Sequence, residues 1–180
     1  MTDTQKQDQT FDSRGTDAGT LYHPAGKTPA QLWQELYEGF YQTTPGCFLE
    51  TIRPRILELD LERREILLAY DTTEWMRNPM GHVHGGILAA MADTAEGILS
   101  KALIDALDGS PTVHLSMNYL RPVGVNRTLH VRAVCNKRGA FLNYLRCAGF
   151  YPEAPEEELF NSEGVYFSYR KPGKMTLPAP

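Results

Sequence analysis

The residues best suited to chemistry lie between positions 78 and 95. Gly85 and Gly86 precede six apolar residues, 87–92, and this pattern predicts a buried helix that begins at the glycines. The first N–H groups of a helix have no acceptor within it and lie at the positive end of its dipole, so they can stabilise an oxyanion. Asp93 then places a carboxylate in the apolar run, where burial is unfavourable unless a partner or a function compensates. Bare N–H groups together with an acid are typical of an acyl-transfer site.

The composition argues against several classes of function. The chain has 180 residues, enough for one domain with a sizeable core, and its net charge of −4 argues against nucleic-acid binding. No apolar run approaches the roughly 18 residues of a membrane span, and residues 1–20 lack the apolar segment of a signal peptide. The three cysteines are scattered and odd in number, which predicts reduced thiols in a cytoplasmic protein.

The elements around this motif follow from hydrophobic periodicity and turn residues. Thr28 and Pro29 predict the start of a helix that ends near Gly46. Strands are expected at 48–60 and 65–71, followed by the apolar helix from Gly85 to about Leu107. Four more strands are expected after Pro111, at 112–119, from 129 to a turn at 137–139, at 141–151 and at 164–169.

This order of elements predicts the fold class and the domain organisation. One long apolar helix between two strands and four further strands favours an α+β fold, with an antiparallel sheet wrapped around a central helix. Residues 28–172 are expected to form a single domain. Residues 1–27 are expected to be a disordered N-terminal tail, because they have almost no large apolar side chains, and residues 173–180 are expected to be a proline-rich C-terminal tail.

Two segments resemble a known family. They are Asn78…Gly81…His84-Gly85-Gly86…Asp93-Thr94-Ala95 and Thr112…Asn118-Tyr119-Leu120-Arg121-Pro122. This pattern is similar to the hotdog-fold acyl-CoA thioesterases, and within them to the phenylacetic-acid-degradation (PaaI-like) branch. The resemblance covers roughly residues 28–170. It implies a hotdog fold, homodimers that often pair into tetramers, an acyl-CoA substrate, and hydrolysis of the thioester without a metal or an organic cofactor.

The resemblance also implies roles for individual residues. Asp93 occupies the position of the catalytic acid, Gly85 that of the backbone N–H which polarises the thioester carbonyl, and Asn78 that of an amide which holds the water or the carbonyl. Thr112 falls near a hydroxyl position used in some members. Whether Asp93 acts as a general base on water or attacks as a nucleophile stays open.

Residues beside the glycines complete the expected substrate site. His84 is expected to fix the turn at the start of the helix, and Gly86 to offer a second N–H group. Met80 is expected beside the acyl group, with Trp75 and Met76, because flexible and soft side chains adapt to varied groups. Ordinary packing in the core is an equally good explanation for these three.

The spacing of Gly85 and Asp93 sets a geometric condition. The two residues are eight positions apart, which corresponds to ~12 Å along one helix. One thioester carbon cannot lie within reach of both on the same helix. We therefore predict a two-fold dimer in which the helix start of one subunit faces Asp93 of the other, with two equivalent composite sites.

Each candidate residue also has a structural explanation. Asp93 could pair with an arginine or cap another element, and the glycines could serve close packing. His82 and His84 have the spacing of a metal-binding pair, but no nearby side chain completes a ligand set, so we expect no metal. Glu96, one turn after Asp93, is expected at the solvent-exposed rim.

Polar side chains on the strand after Pro111 also have both a functional and a structural explanation. His114, Ser116 and Asn118 lie on one face of this strand and are expected to face solvent rather than form a catalytic triad with Asp93. The sequence has no G-x-S-x-G motif for a nucleophilic serine.

Two other functions compete with hydrolysis. Hotdog hydratases and dehydratases use a motif that resembles Asp-x-Asn-Pro-x-His, of which this chain has only Asn78-Pro79. The second alternative is an acyl-CoA-binding protein without enzymatic activity. Regulators of that kind usually carry a helix-turn-helix, whereas the expected helix at 28–43 is single.

Overall fold

The computed structural model describes residues 28–43, 46–104 and 109–168. Within them the elements in chain order are α1 (Pro29–Thr43), α2 (Phe48–Ile52), β1 (Arg55–Asp60), β2 (Glu65–Asp71), a 3-10 turn (Glu74–Met76), α3 (Gly85–Ala102), β3 (Thr112–Tyr119), β4 (Thr128–Arg138), β5 (Leu142–Phe150) and β6 (Phe160–Phe167). The two predicted tails lie outside the described residues.

The six strands form one antiparallel sheet in the order β1-β2-β4-β5-β6-β3. Helix α3 packs against one face of this sheet and contacts β2 to β6. The main apolar core lies between them and includes Met91, Ala92, Leu99, Leu68 and Val131, all at most 1% exposed. This arrangement confirms the prediction of an α+β fold with a sheet around a central helix.

Helix α3 begins where the sequence predicts and ends earlier. It starts at Gly85 and ends at Ala102, whereas the pattern suggested about Leu107. Its alanines at positions 92 and 95 are fully buried, because a small side chain lets the helix approach the sheet closely. The predicted end at about Leu107 falls within residues 105–108, outside the described residues.

The N-terminal helix is correctly predicted, but the segment after it is not a strand from its start. The Thr28 hydroxyl accepts from the Gln31 N–H and the Gln31 side chain accepts from the Thr28 N–H, a reciprocal cap for α1. Residues Phe48–Ile52 form α2, and the strand begins only at Arg55. Helix α2 ends at Ile52, its C-cap Arg53 adopts a left-handed conformation, and Pro54 follows, which cannot continue the helix.

Strand β6 begins at Phe160, four residues before its predicted start. Its inward positions are Phe160, Ser162, Gly164 and Tyr166, all buried. Because two of these four positions carry a serine and a glycine, the strand lacks the apolar alternation that reveals a strand with one buried face.

Two further observations concern the cysteines and the hydrophobicity of the helices. Cys47, Cys135 and Cys147 are free thiols. Among the helices in the described ranges, none is long and apolar enough to cross a membrane.

Candidate active site

The loop before α3 is closed by the side chain of Asn78. Its Oδ1 accepts hydrogen bonds from the N–H groups of Met80 and His82, at 2.9 and 3.2 Å. The His84 N–H donates to the carbonyl of Met76, which fixes the end of this loop against its beginning. The Nδ2 group of Asn78 has no acceptor among the described residues, so it is free to donate to a substrate or a water.

The two glycines at the start of α3 differ in what they offer. His84 is the N-cap of the helix, and its Nδ1 accepts from the Gly86 N–H at 2.9 Å. The expectation that both glycines present bare N–H groups is therefore wrong for Gly86. The Gly85 N–H has no acceptor within the described part of the chain, so it remains available at the positive end of the helix dipole.

Tyr119 of β3 lies against the helix start and was not predicted as part of the site. Its hydroxyl donates to the Gly85 carbonyl at 3.0 Å. A Cβ atom at position 85 would lie 3.2 Å from the Tyr119 ring, which is a tight contact. Gly85 thus allows this ring to approach the helix start while its own N–H stays accessible.

Asp93 is half-buried and is held by two hydroxyl groups. Thr112 donates to Oδ1 at 2.7 Å, and Tyr166 donates to the same oxygen at 2.9 Å. The other carboxylate oxygen, Oδ2, accepts no hydrogen bond from the described residues. A carboxylate with one oxygen anchored and one free is oriented for general-base or nucleophilic chemistry.

A bulge in β3 brings Thr112 to Asp93. Strict alternation along the strand would place Thr112 on the same face as His114, Ser116 and Asn118. The pairing with β6 shifts by one residue between Thr112 and His114, so Thr112 pairs with Tyr166 on the helix side. The three other polar residues are exposed, as the sequence predicts for them. Leu115 and Met117, which lie between them and face inward, are half-buried.

A cavity of about 490 Å³ opens beside Asp93. Tyr37 of α1 and Phe48 and Leu49 of α2 form one wall, and Thr112 and Tyr166 lie on the sheet side. Sequence analysis assigned no functional role to the N-terminal segment, yet α1 and α2 line the space next to the acid. The cavity has the size of a small-molecule site and combines apolar walls with one carboxylate.

Glu96 is the largest correction to the predicted site. The residue was expected at the solvent-exposed rim, but it is 0% exposed. Its Oε1 accepts from the Ser162 hydroxyl at 2.5 Å, whereas Oε2 has no hydrogen-bond partner among the described residues. Burial raises the pKa of Glu96 to about 7, against the opposing effect of the hydrogen bond from Ser162.

The three large residues near the loop have different environments. Met76 is 2% exposed and belongs to the core, which settles its role as packing. Met80 is 78% exposed at the tip of the loop and Trp75 is 51% exposed, and neither lines the cavity beside Asp93. Any contact of these two with an acyl group therefore requires a site different from this cavity.

The two histidines of the loop do not belong to a metal-binding group. His84 is engaged as the helix cap, and no cluster of three or more histidine, cysteine, aspartate or glutamate side chains suited to a metal occurs in the described ranges. The arrangement of the site is that of acid, amide and backbone donors.

Comparison with known proteins identifies the fold. Residues 80–149 match the family model of the thioesterase superfamily, a segment that includes both the helix start and Asp93. The chain has the hotdog fold. No curated protein matches the chain in sequence.

Several solved hotdog structures are similar to this chain. A phenylacetic-acid-degradation-related protein from Ralstonia eutropha is 24% identical, with a TM-score of 0.63 over 69% of this chain and 90% of that protein. A thioesterase from Haemophilus influenzae is 16% identical, with a TM-score of 0.64 over 74% and 90% of the two chains. A Streptococcus mutans protein bound to acetyl-CoA is 18% identical, with a TM-score of 0.58 over 66% and 91%.

Two residues of this hotdog site received no role in the sequence analysis, and a third was misplaced. Tyr119 contacts the helix start and Tyr166 the acid. Glu96 was noted one turn after Asp93 but placed at the rim, whereas it is buried behind the acid. Tyr119 lies within the segment whose resemblance was noted, so it could have been found there. Tyr166 gave no signal, because a tyrosine is an ordinary residue for a strand.

Proposed function

We propose that this protein hydrolyses acyl-CoA thioesters to the free acid and CoA, with Asp93 as general base or nucleophile and the Gly85 N–H polarising the carbonyl. The observation that carries the proposal is the state of Asp93: Thr112 and Tyr166 hold one carboxylate oxygen, and the other is free beside a cavity. The hotdog fold and the acetyl-CoA bound to one similar structure support an acyl-CoA as the substrate.

The chemistry assigns one task to each group. Attack on the thioester carbon places negative charge on its oxygen, which the free Gly85 N–H stabilises in a position fixed before the reaction. Asp93 either removes a proton from the attacking water or forms an anhydride with the acyl group. The Nδ2 group of Asn78 is free to orient the water or the carbonyl. The proposal includes no metal and no organic cofactor.

The distance along α3 leads us to propose a homodimer with shared sites. Gly85 and Asp93 belong to one continuous helix, so their eight-residue separation corresponds to ~12 Å. A second copy of α3 that runs past the first in the opposite direction brings Gly85 of one subunit to Asp93 of the other. Dimers of this kind pairing into tetramers are part of the same proposal.

The first experiment measures thiol release from a panel of short, medium-chain and aryl acyl-CoAs. We expect Asp93→Asn to lower kcat/KM by about 10²–10⁴ while the fold is retained. Asp71→Asn is a matched control, because Asp71 also accepts from a threonine hydroxyl, that of Thr128, but is exposed on β2. Equal rates for Asp93→Asn and the wild type would exclude the proposal. Hydration of an enoyl-CoA without thiol release would favour a hydratase, and tight binding without turnover a binding protein.

A second experiment tests the shared site. Gly85→Pro removes the N–H donor at the first helical position, where proline is tolerated, and His84 before it is already extended with ψ 135°. We expect a loss of about 10²–10³ in kcat. Gly85→Ala keeps the N–H and controls for the contact with Tyr119.

Mixing the two inactive variants distinguishes a shared site from one within a subunit. Random reassociation of Gly85→Pro and Asp93→Asn subunits gives half heterodimers, each with one intact composite site, and thus about a quarter of the wild-type activity. If each site lies within one subunit, no mixed dimer is active. A single turnover in H₂¹⁸O then tests for a nucleophilic Asp93: when water attacks the Asp93 carbon of the anhydride, the first product is unlabelled, whereas the general-base route gives labelled product.

A further inference from the structure

A buried carboxyl group stands behind the proposed catalytic acid without a role in the chemistry described so far. Glu96 lies one turn after Asp93 on α3 and is 0% exposed. Ser162 donates to Oε1, and Oε2 is buried without a partner among the described residues. A Cβ atom at Gly164 would lie 1.7 Å from Oε2, so the glycine in β6 is what makes room for this carboxyl. A buried, incompletely satisfied carboxyl is unfavourable and calls for an explanation.

Tyr166 lies between this carboxyl and Asp93. Its hydroxyl donates to Asp93 Oδ1 at 2.9 Å and to the Asp93 carbonyl at 3.2 Å. Its ring lies beside Glu96, because the same Cβ atom at Gly164 would be 2.7 Å from Tyr166 Cε2 and 1.7 Å from Glu96 Oε2. Burial and the two neighbouring carboxylates raise the pKa of Tyr166, so this phenol keeps its proton. Since a phenol has one proton to donate, a hydroxyl turned towards Glu96 would be lost to Asp93.

The other titratable groups that face Glu96 among the described residues do not include a counter-ion. Asp93 lies on the same helix, and Glu163 on β6 adds a second negative charge. From β5 the Cys147 thiol faces it, and burial raises the pKa of this thiol, so it is neutral. Burial raises the pKa of Glu96 to about 7, and the carboxyl therefore changes its charge near neutral pH.

We propose that Glu96 is a positioning residue that sets the charge environment and the hydrogen bonding of Asp93 through the hydroxyl of Tyr166. The inference rests on the proposed function for its kinetic consequence. While Glu96 is protonated, the Tyr166 hydroxyl donates fully to Asp93 and stabilises its anion, which makes Asp93 a weaker base. Once Glu96 ionises, it draws this hydroxyl and repels the Asp93 charge, so Asp93 becomes a stronger base.

The kinetic test is the pH profile of kcat/KM with the best acyl-CoA substrate. We expect the wild type to gain roughly three- to tenfold in a step near pH 7. Glu96→Gln keeps the shape of the side chain but cannot ionise, so its profile should lack the step near pH 7. Glu163→Gln makes the same change at the neighbouring exposed carboxylate and should retain the step. A Glu96→Gln profile identical to that of the wild type would overturn the inference.

A second variant keeps the test decisive if Glu96→Gln does not fold. Ser162→Ala removes the hydroxyl that stabilises ionised Glu96, so the midpoint of the step should move to higher pH. A midpoint unchanged in this variant would contradict the role of Glu96.

A readout without turnover separates this inference from the proposed function. Carbon-13 NMR of labelled aspartate and glutamate carboxyls, with the Asp93 signal assigned by its loss in Asp93→Asn, should show a second inflection of Asp93 near pH 7 that disappears in Glu96→Gln. If the inflection is present but no acyl-CoA is hydrolysed, the proposed function fails and the coupling stands. If hydrolysis occurs but the Asp93 signal shows no such inflection, the coupling fails and the proposed function stands.

Discussion

The ionisation of Glu96 should destabilise the fold at neutral and alkaline pH. Burial raises the pKa of this carboxyl from its usual 4.5 to about 7. Between these two values the folded protein holds a proton that the unfolded chain has released, so each rise in pH favours unfolding. The stabilising effect of the neutral carboxyl is complete below pH 4.5, falls from there to pH 7 and is absent above. At ~1.4 kcal/mol per pH unit, the loss amounts to about 3 kcal/mol.

The assay compares the wild type with Glu96→Gln by urea unfolding at pH 5, 6, 7 and 8. The glutamine cannot ionise, so the variant should gain about 3 kcal/mol relative to the wild type between pH 5 and pH 8. A shift in the midpoint with an unchanged slope identifies this as a change in stability. Because self-association would also stabilise the fold, the comparison is made at one subunit concentration.

The control is again the neighbouring carboxylate. Glu163 is exposed on β6, so Glu163→Gln should shift the free energy of unfolding by less than about 0.5 kcal/mol at every pH. Parallel pH dependence of the wild type and Glu96→Gln would refute the reasoning, since it would mean that Glu96 titrates alike in the folded and unfolded states.

Three further substitutions test individual contacts. Thr112→Val removes the hydroxyl that donates to the proposed catalytic acid and should lower kcat/KM roughly tenfold, whereas Thr112→Ser should retain most of the activity in the same thiol-release assay. His84→Ala removes the N-cap of α3 and should lower the free energy of unfolding by about 1 kcal/mol in urea, while His84→Asn keeps a capping side chain. Gly164→Ala would place its methyl group on a buried carboxyl oxygen and should lower Tm, whereas at Gly97 the nearest atom to an added methyl is 3.6 Å away and the same change should be tolerated.

The sequence was sufficient for the elements with strong periodic patterns. The alternation along β4 and the apolar run of α3 each predicted the correct element, because one face of each packs against the core. The start of α3 at Gly85 was also predictable, since the glycines mark where the apolar run begins. The short segment Phe48–Ile52 was assigned wrongly, because five residues cannot distinguish one helical turn from a strand.

Weak local patterns explain why the residues around Glu96, behind Asp93, were not predicted. The start of β6 was missed because Ser162 and Gly164 occupy two of its inward positions. These are the residues that hold and accommodate Glu96, so the missed strand and the misplaced glutamate have one cause. A buried polar group is satisfied by residues distant in the chain, and a local pattern contains no information about them.

The sequence by itself determined the fold class, the central helix and the candidate acid with its glycine, since local periodicity and spacing record which residues are buried and which group is unusual there. Tertiary structure alone decided that a bulge turns Thr112 towards Asp93 and that Tyr166 lies between two acids. Each of these depends on pairing between strands. Such contacts arise only when the chain brings separate segments together.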